Sequence, residues 1–264
     1  MKLAHWLSGS LLSLSIATGA SAEMITRDIS YTLDGTEFKG TLVYDDASPA
    51  KRPGLLMVPN WLGINPANLE QAKLVAGTKY VVFVADMYGV GVRPQNSEQA
   101  MAAVKPLREN RALMRARINK ALAVLKAQAD SAPLDTARLG AFGFCFGGGV
   151  ALELARSGTP VGGVVSFHGN LDTPDPADAR NIKSKILVLH GADDPSVPPA
   201  QVQAFEAEMK SVPGLDWQLV SFGGAVHSFT DPDANVPGRN QYHPVVARRA
   251  YRMMDEFFTE IFGS

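Results

Sequence analysis

Residues 25–33 and 38–46 alternate apolar and polar side chains, with Asp34-Gly35 between them. A half-buried strand has period two, and Asp-Gly is the chemistry of a tight turn, so the stretch predicts a β-hairpin. The pattern then changes. Gly54–Val58, Tyr80–Ala85, Arg138–Phe142, Val161–Phe167 and Lys185–Leu189 are short runs dominated by apolar residues, and Trp217–Phe222 is a further strand. Continuous apolar runs suit strands covered on both faces of a parallel sheet. Helices are predicted between them: from Asn65-Pro66 to about 76, about 97–104, about 107–129, from the glycines at 147–149 to 155, and Pro199–Met209. The last helix spans about 244–262. Met114, Ile118, Leu122 and Leu125 recur at helical spacing in the third, and Val246, Ala250, Met253, Phe257 and Ile261 form one stripe of the last. Arg108, Arg111 and Arg115 share another helical face and read as solvated. Alternating strands and helices predict an α/β fold: a mostly parallel central sheet flanked by helices, with an antiparallel hairpin at its N-terminal edge. No linker or internal repeat interrupts 23–264, which reads as one domain.

Composition narrows the function classes. With 46% hydrophobic and 19% charged residues in 264, the chain is not a disordered one. Its length lets it bury enough surface to fold without a metal or disulfide staple. The 25 Lys+Arg and 26 Asp+Glu nearly cancel, which leaves no electrostatic footprint for nucleic acid or an anionic membrane. One cysteine forbids an internal disulfide. Zinc spacings, a dinucleotide fingerprint and a Walker lysine are all lacking, so no metal or cofactor is expected. The expected partner is a small molecule bound by a monomer.

The first 22 residues carry Lys2, an apolar stretch Leu11–Ala17 and Ala20-Ser21-Ala22. A basic start, a short apolar region and small residues at the end are the order of a secretory signal peptide. Serines at 8, 10, 13 and 15 break the apolar core, which is too short for about 30 Å of hydrocarbon. Cleavage near Ala22 and export, periplasmic or secreted, are expected, with no stable membrane insertion.

Three loops carry candidate chemistry. Gly143-Phe144-Cys145-Phe146-Gly147 is a G-x-nucleophile-x-G elbow with cysteine as the nucleophile, placed after a predicted strand and before a helix. The glycines permit close passage of the chain, and the following helix N-terminus favours a thiolate. Asp193 and Asp194 follow the strand Lys185–Leu189, where a hydrolase of this order keeps its orienting acid. Asp194 is preferred, with Asp193 as a turn residue. His227 follows Gly223-Gly224 in the loop after Trp217–Phe222. Nucleophile, acid, base is the chain order of α/β-hydrolases. His190 reads as packed at a strand end, His243 as a helix-start residue, and His168 as a strand-end residue able to touch substrate.

Gly-Phe-Cys-Phe-Gly-Gly, Gly-Ala-Asp-Asp-Pro-Ser-Val-Pro and Gly-Gly-Ala-Val-His-Ser-Phe together resemble the dienelactone hydrolase family of α/β-hydrolases. The similarity runs from about 25 to 262 and includes Trp61–Asn65 and Asp86–Gly89. The resemblance implies an ester or lactone hydrolase, like carboxymethylenebutenolidase, working through a thioester acyl-enzyme. Cys145 would be nucleophile, Asp194 orienter and His227 base. The N–H groups of Phe146 and Trp61 would form the oxyanion hole, and Asn60, Tyr88 and His168 would line the substrate pocket. Three departures accompany it. Asn60 stands where the family has a glutamate that helps switch the thiol on. Val90 and Asp231 stand where the member acting on dienelactone has arginines for the substrate carboxylate. Arg93 is near but is not expected to substitute, so a different substrate is expected. The alternatives are a non-catalytic binding protein and a thiol redox sensor on the same fold.

Overall fold

The computed structural model describes residues 23–263; the expected signal peptide, 1–22, lies outside them. β1 (Met24–Leu33) and β2 (Thr36–Asp45) form the hairpin, paired from Met24↔Asp45 to Leu33↔Thr36. Asp34 and Gly35 both have positive φ, 49° and 75°, as the tightest hairpin turns require. The hairpin docks antiparallel onto β4 (Val81–Val84), which pairs in parallel with β3 (Arg52–Val58). β5 (Leu134–Phe144), β6 (Gly163–Phe167), β7 (Lys185–Gly191) and β8 (Trp217–Phe222) continue the sheet in parallel. The order is β1-β2-β4-β3-β5-β6-β7-β8, the mostly parallel α/β-hydrolase sheet with its hairpin at one edge.

Successive strand residues point to opposite faces, so each apolar run feeds two cores. Leu56, Val58, Val81, Phe83 and Val188 join α2 (Ser97–Glu109), α3 (Arg111–Lys126), α4 (Phe146–Arg156) and α5 (Pro199–Lys210) on one side. Leu55, Met57, Val82, Val84 and Leu189 meet α1 (Pro66–Ala76) and α6 (Pro244–Phe262) on the other.

Three local expectations are corrected. The break between α2 and α3 falls at Asn110, whose side chain accepts the Leu113 N–H at 3.0 Å, while Pro106 is accommodated inside α2. Asn caps a helix because its oxygen satisfies an otherwise orphaned N–H. In α6 the fully buried stripe is Val246, Ala250, Met254, Phe257 and Phe258; Met253 and Ile261 pack at its rim. β5 begins at Leu134, earlier than expected, because Arg52 and Pro53 extend its pairing ahead of a register shift at Gly54. A 3-10 turn at Pro176–Asn181 and the two-residue strands β9 (Asn235–Val236) and β10 (Asn240–Gln241) carry no apolar periodicity and had no sequence signal. Among the described residues no helix is long and apolar enough to cross a membrane.

Candidate active site

Every candidate residue sits at the carboxyl edge of the parallel strands, where loops of α/β sheets gather. β5 ends at Phe144, and Cys145 occupies the cap position of α4 with φ 55° and ψ −121°. A positive φ on a non-glycine residue is strained and persists only where its surroundings hold it. The Cys145 N–H donates to the Phe167 carbonyl at 3.0 Å and to His168 Nδ1 at 3.2 Å. A Cβ on Gly143 would lie 2.2 Å from the Gly147 carbonyl oxygen, and one on Gly147 would lie 2.2 Å from the Val58 carbonyl oxygen. The elbow therefore needs both glycines for steric reasons.

His227 comes from the loop after β8, and its charge acts on the Cys145 thiol. On its other side, His227 Nδ1 lies 2.7 Å from Asp194 Oδ2. Asp194 is buried after β7, and its Oδ1 accepts the Ser196 N–H at 2.7 Å. Asp193 is exposed and accepts the Gly224 N–H at 3.0 Å, which braces the loop that carries His227. The Gln241 N–H ties β10 to the His227 carbonyl at 3.0 Å. His227 and Asp194 are thus paired, and the His227 charge acts on the Cys145 thiol.

The electrostatics separate charge across the Cys145–His227 contact. Burial pushes the Cys145 thiol up. The His227 charge and hydrogen bond, the Phe146 N–H and the Arg108 guanidinium outweigh this and hold it below the usual thiol value. Burial pulls the His227 imidazolium down, but the facing sulfur and Asp194 push it up to about 10. Both shifts run in the direction of charge separation, a thiolate facing an imidazolium.

Of the expected pocket residues, His168 takes a different place. It is buried, its Nδ1 accepts the Cys145 N–H, and its Nε2 lies 2.8 Å from Thr230 Oγ1. Both ring nitrogens are occupied inside the protein, so the ring supports the elbow from behind. Burial and the His227 charge, 5.1 Å away ring to ring, hold its pKa well below the usual value. A neutral ring is required for Nδ1 to accept. Thr230, the partner of that ring, had no sequence signal because a lone threonine in a loop has no pattern.

Tyr88 stacks on Phe146 at 6.0 Å, and its hydroxyl donates to the Trp61 carbonyl at 2.8 Å. It joins the two segments expected to supply oxyanion donors. Asn60 Oδ1 accepts the Leu62 N–H at 3.0 Å and shapes the Trp61 loop. Asn60 and Asp231 line one cavity of about 260 Å³ with Asn65, Gln71 and Asp233. Burial raises the Asp231 carboxyl above the usual range. Val90 is exposed. Arg93 is committed to Asp86 Oδ2 at 3.0 Å and to the Gly89 carbonyl at 2.7 Å, so it stays in its own loop. A larger cavity of about 890 Å³ lies between α1 and α6, and neither Cys145 nor His227 lines it. Among the described residues no cluster of His, Cys, Asp and Glu could hold a metal ion.

The helical arginines do not form one solvated face. Arg111 pairs with Asp172 at 2.6 Å, and Arg115 bridges the buried Glu153 at 2.8 Å and Asp178 at 2.6 Å. Arg108 donates to the neutral Asn170 Oδ1 at 3.1 Å.

Similarity to known proteins assigns the chain to a family. A family model described as the dienelactone hydrolase family matches residues 38–262. The solved structure of m3DLH is 38% identical with a TM-score of 0.84 and covers 91% of this chain and 99% of its own. A dienelactone hydrolase-like promiscuous phosphotriesterase from metagenomic libraries is 35% identical with a TM-score of 0.85, over 91% of this chain and 99% of its own. A Caenorhabditis elegans protein is 36% identical over 156 residues, 57% of this chain and 95% of that one. By sequence and by fold, the chain belongs to the dienelactone hydrolase family of α/β-hydrolases.

Proposed function

We propose that the protein hydrolyses a small ester or lactone with Cys145 as nucleophile, His227 as acid and base, and Asp194 holding the His227 ring. The carrying observation is the His227–Asp194 pair at 2.7 Å, whose charge acts on Cys145, with Cys145 on a strained elbow at a helix start. Family membership supports the coarse reading of an ester or lactone hydrolase.

The Cys145 thiolate attacks the acyl carbon, and the carbonyl π electrons move onto oxygen. The N–H groups of Phe146 and Trp61 are the proposed donors to that oxyanion. Loss of one such donor costs about 3–4 kcal/mol in comparable sites. The tetrahedral intermediate collapses to a thioester while His227 gives its proton to the departing alkoxide. Neutral His227 then takes a proton from water as the water attacks the thioester. The intermediate collapses, the C–S bond breaks and the acid leaves; the thiolate departs beside the imidazolium that already holds the proton taken from water. Esters are favoured over amides because an alkoxide leaves a thiolate adduct more readily than an amine does.

A panel of 4-nitrophenyl esters and simple lactones tests this. Thiol-dependent turnover that disappears in Cys145→Ala is expected. Undiminished turnover in that variant assigns the chemistry to another nucleophile. Reversible oxidation of Cys145 without any turnover would instead favour a redox sensor. Export with cleavage near Ala22 is proposed from the first 22 residues alone, and the mass of the secreted chain checks it.

A further inference from the structure

We propose that the cavity between α1 and the turn at 231–233 binds an organic cation, a primary ammonium carried on an apolar body. The site stands whether or not Cys145 is the reacting group.

This cavity, of about 260 Å³, is lined by Asn60, Asn65, Asn68, Gln71, Asp231 and Asp233 among others, and by no Lys, Arg or His. Its oxygens are unequally used. Asn60 Oδ1 takes the Leu62 N–H at 3.0 Å, and Asn65 Oδ1 takes the Asn68 N–H at 2.9 Å as the cap of α1. Asn68 Oδ1 and Gln71 Oε1 have no donor at all. Asn68 is only 2% exposed. The two amides stand three residues apart, on one face of α1. A buried carbonyl oxygen without a donor costs a lost hydrogen bond, so each calls for a partner that arrives from outside.

The charges point the same way. One Asp231 oxygen accepts the Asp233 N–H at 3.0 Å, and neither carboxylate forms an ion pair among the described residues. Asp231 is half-buried. Two uncompensated carboxylates and two orphaned amide oxygens are complementary to a group with several N–H donors, a positive charge and no acceptor. A primary ammonium is that group. Two carboxylates without a third acidic, histidine or cysteine ligand do not make a metal centre among the described residues.

The apolar body has a place as well. The cavity of about 890 Å³ between α1 and α6 shares Ala67, Gln71, Pro232 and Asp233 with the smaller one. Leu74, Val75, Tyr80 and Tyr251 line it further on. Its carboxylates Glu70 and Asp255 are already paired with Lys73 and Lys79, and Arg248 and Arg252 line its α6 side. A positive head is repelled there and drawn to the smaller cavity, which leaves the larger one for an alkyl or aryl body. The Asp231 N–H donates to the Ser228 carbonyl at 2.9 Å, so the site shares the loop that carries His227.

Titration calorimetry of the full chain with benzylammonium, benzyl alcohol and benzoate compares three heads on one ring. Benzylammonium should bind at least about tenfold more tightly than benzyl alcohol, and benzoate most weakly. The double change Asp231→Asn and Asp233→Asn should abolish that preference. Asn68→Leu should raise Tm in the absence of ligand, because it removes an unpaired buried acceptor, yet weaken benzylammonium several-fold. Equal binding of benzylammonium and benzyl alcohol overturns the site, as does a preference that survives the double change. A lower Tm in Asn68→Leu with unaltered benzylammonium affinity overturns the role of the amide. Inhibition of 4-nitrophenyl acetate hydrolysis that excess ester relieves would place the ammonium on the substrate. Selective binding with unaltered hydrolysis would assign it to a separate ligand, and selective binding without any hydrolysis keeps the site while the hydrolase reading fails.

Discussion

At the scale of single residues, chemistry depends on charge held where solvent is scarce. Cys145 is depressed and His227 is raised to about 10, so the ion pair exists between those values. Below the thiol pKa the nucleophile is protonated and lost; above about 10 His227 can no longer protonate the leaving alkoxide. Alkylation by iodoacetamide should accordingly titrate with a midpoint below the ordinary thiol value of about 8.5, and return towards it in His227→Gln. A wild-type midpoint at the ordinary value would contradict the ion pair. Asp194→Asn keeps the shape but removes the charge and the ring's fixed orientation. A loss of about 10³–10⁴ in kcat with little change in KM is expected from steady-state kinetics.

Residue types also explain what the sequence concealed at this scale. The elbow at Cys145 and the pairing of Asp194 with His227 were legible because each stands in a short motif with a steric or turn reason. His168 was not, since a histidine at a strand end looks the same whether its ring meets substrate or the next loop. Only the distant Thr230 and the neighbouring elbow N–H decide that its nitrogens are both used.

At the scale of elements, local rules placed the strands and helices well, because period two, period 3.6 and cap chemistry operate within a few residues. The errors fell where a distant partner overrides the local pattern, as in the rotated stripe of α6 and the early start of β5. Two changes probe element-level demands. Gly147→Ala forces a methyl group into the Val58 carbonyl and should destabilise by about 1–3 kcal/mol, seen as a lower Tm and slower Cys145 alkylation. Asn110→Ala removes the cap between α2 and α3 and should cost about 1 kcal/mol, or about 2–4 °C in Tm, without altering the alkylation midpoint.

At the scale of the molecule, a buried ion cluster joins the helices on one face to the rim of the site. Arg156 is almost wholly buried and pairs with Glu208 at 2.7 Å and Glu153 at 3.1 Å. It also donates to the Leu171 and Asp172 carbonyls, so it pins the loop that carries Asn170 and Asp172. Removing one member of such a cluster leaves buried charge uncompensated. Arg156→Met should cost about 3–5 kcal/mol in denaturant unfolding. An unchanged unfolding midpoint would show that the cluster has no net role.

The sequence by itself determined the order and type of the elements, the sheet's parallel core, the elbow and the two motifs whose acid and imidazole pair with each other. Those are consequences of periodicity, turn chemistry and glycine sterics, all of which act locally. The tertiary structure alone decided that Arg111 pairs with Asp172, that Arg115 bridges Glu153 and Asp178, and that the His168 ring is held by the Cys145 N–H and Thr230. Charge compensation and burial depend on residues far apart in the chain that fold to within a few ångströms, and no local pattern encodes that pairing.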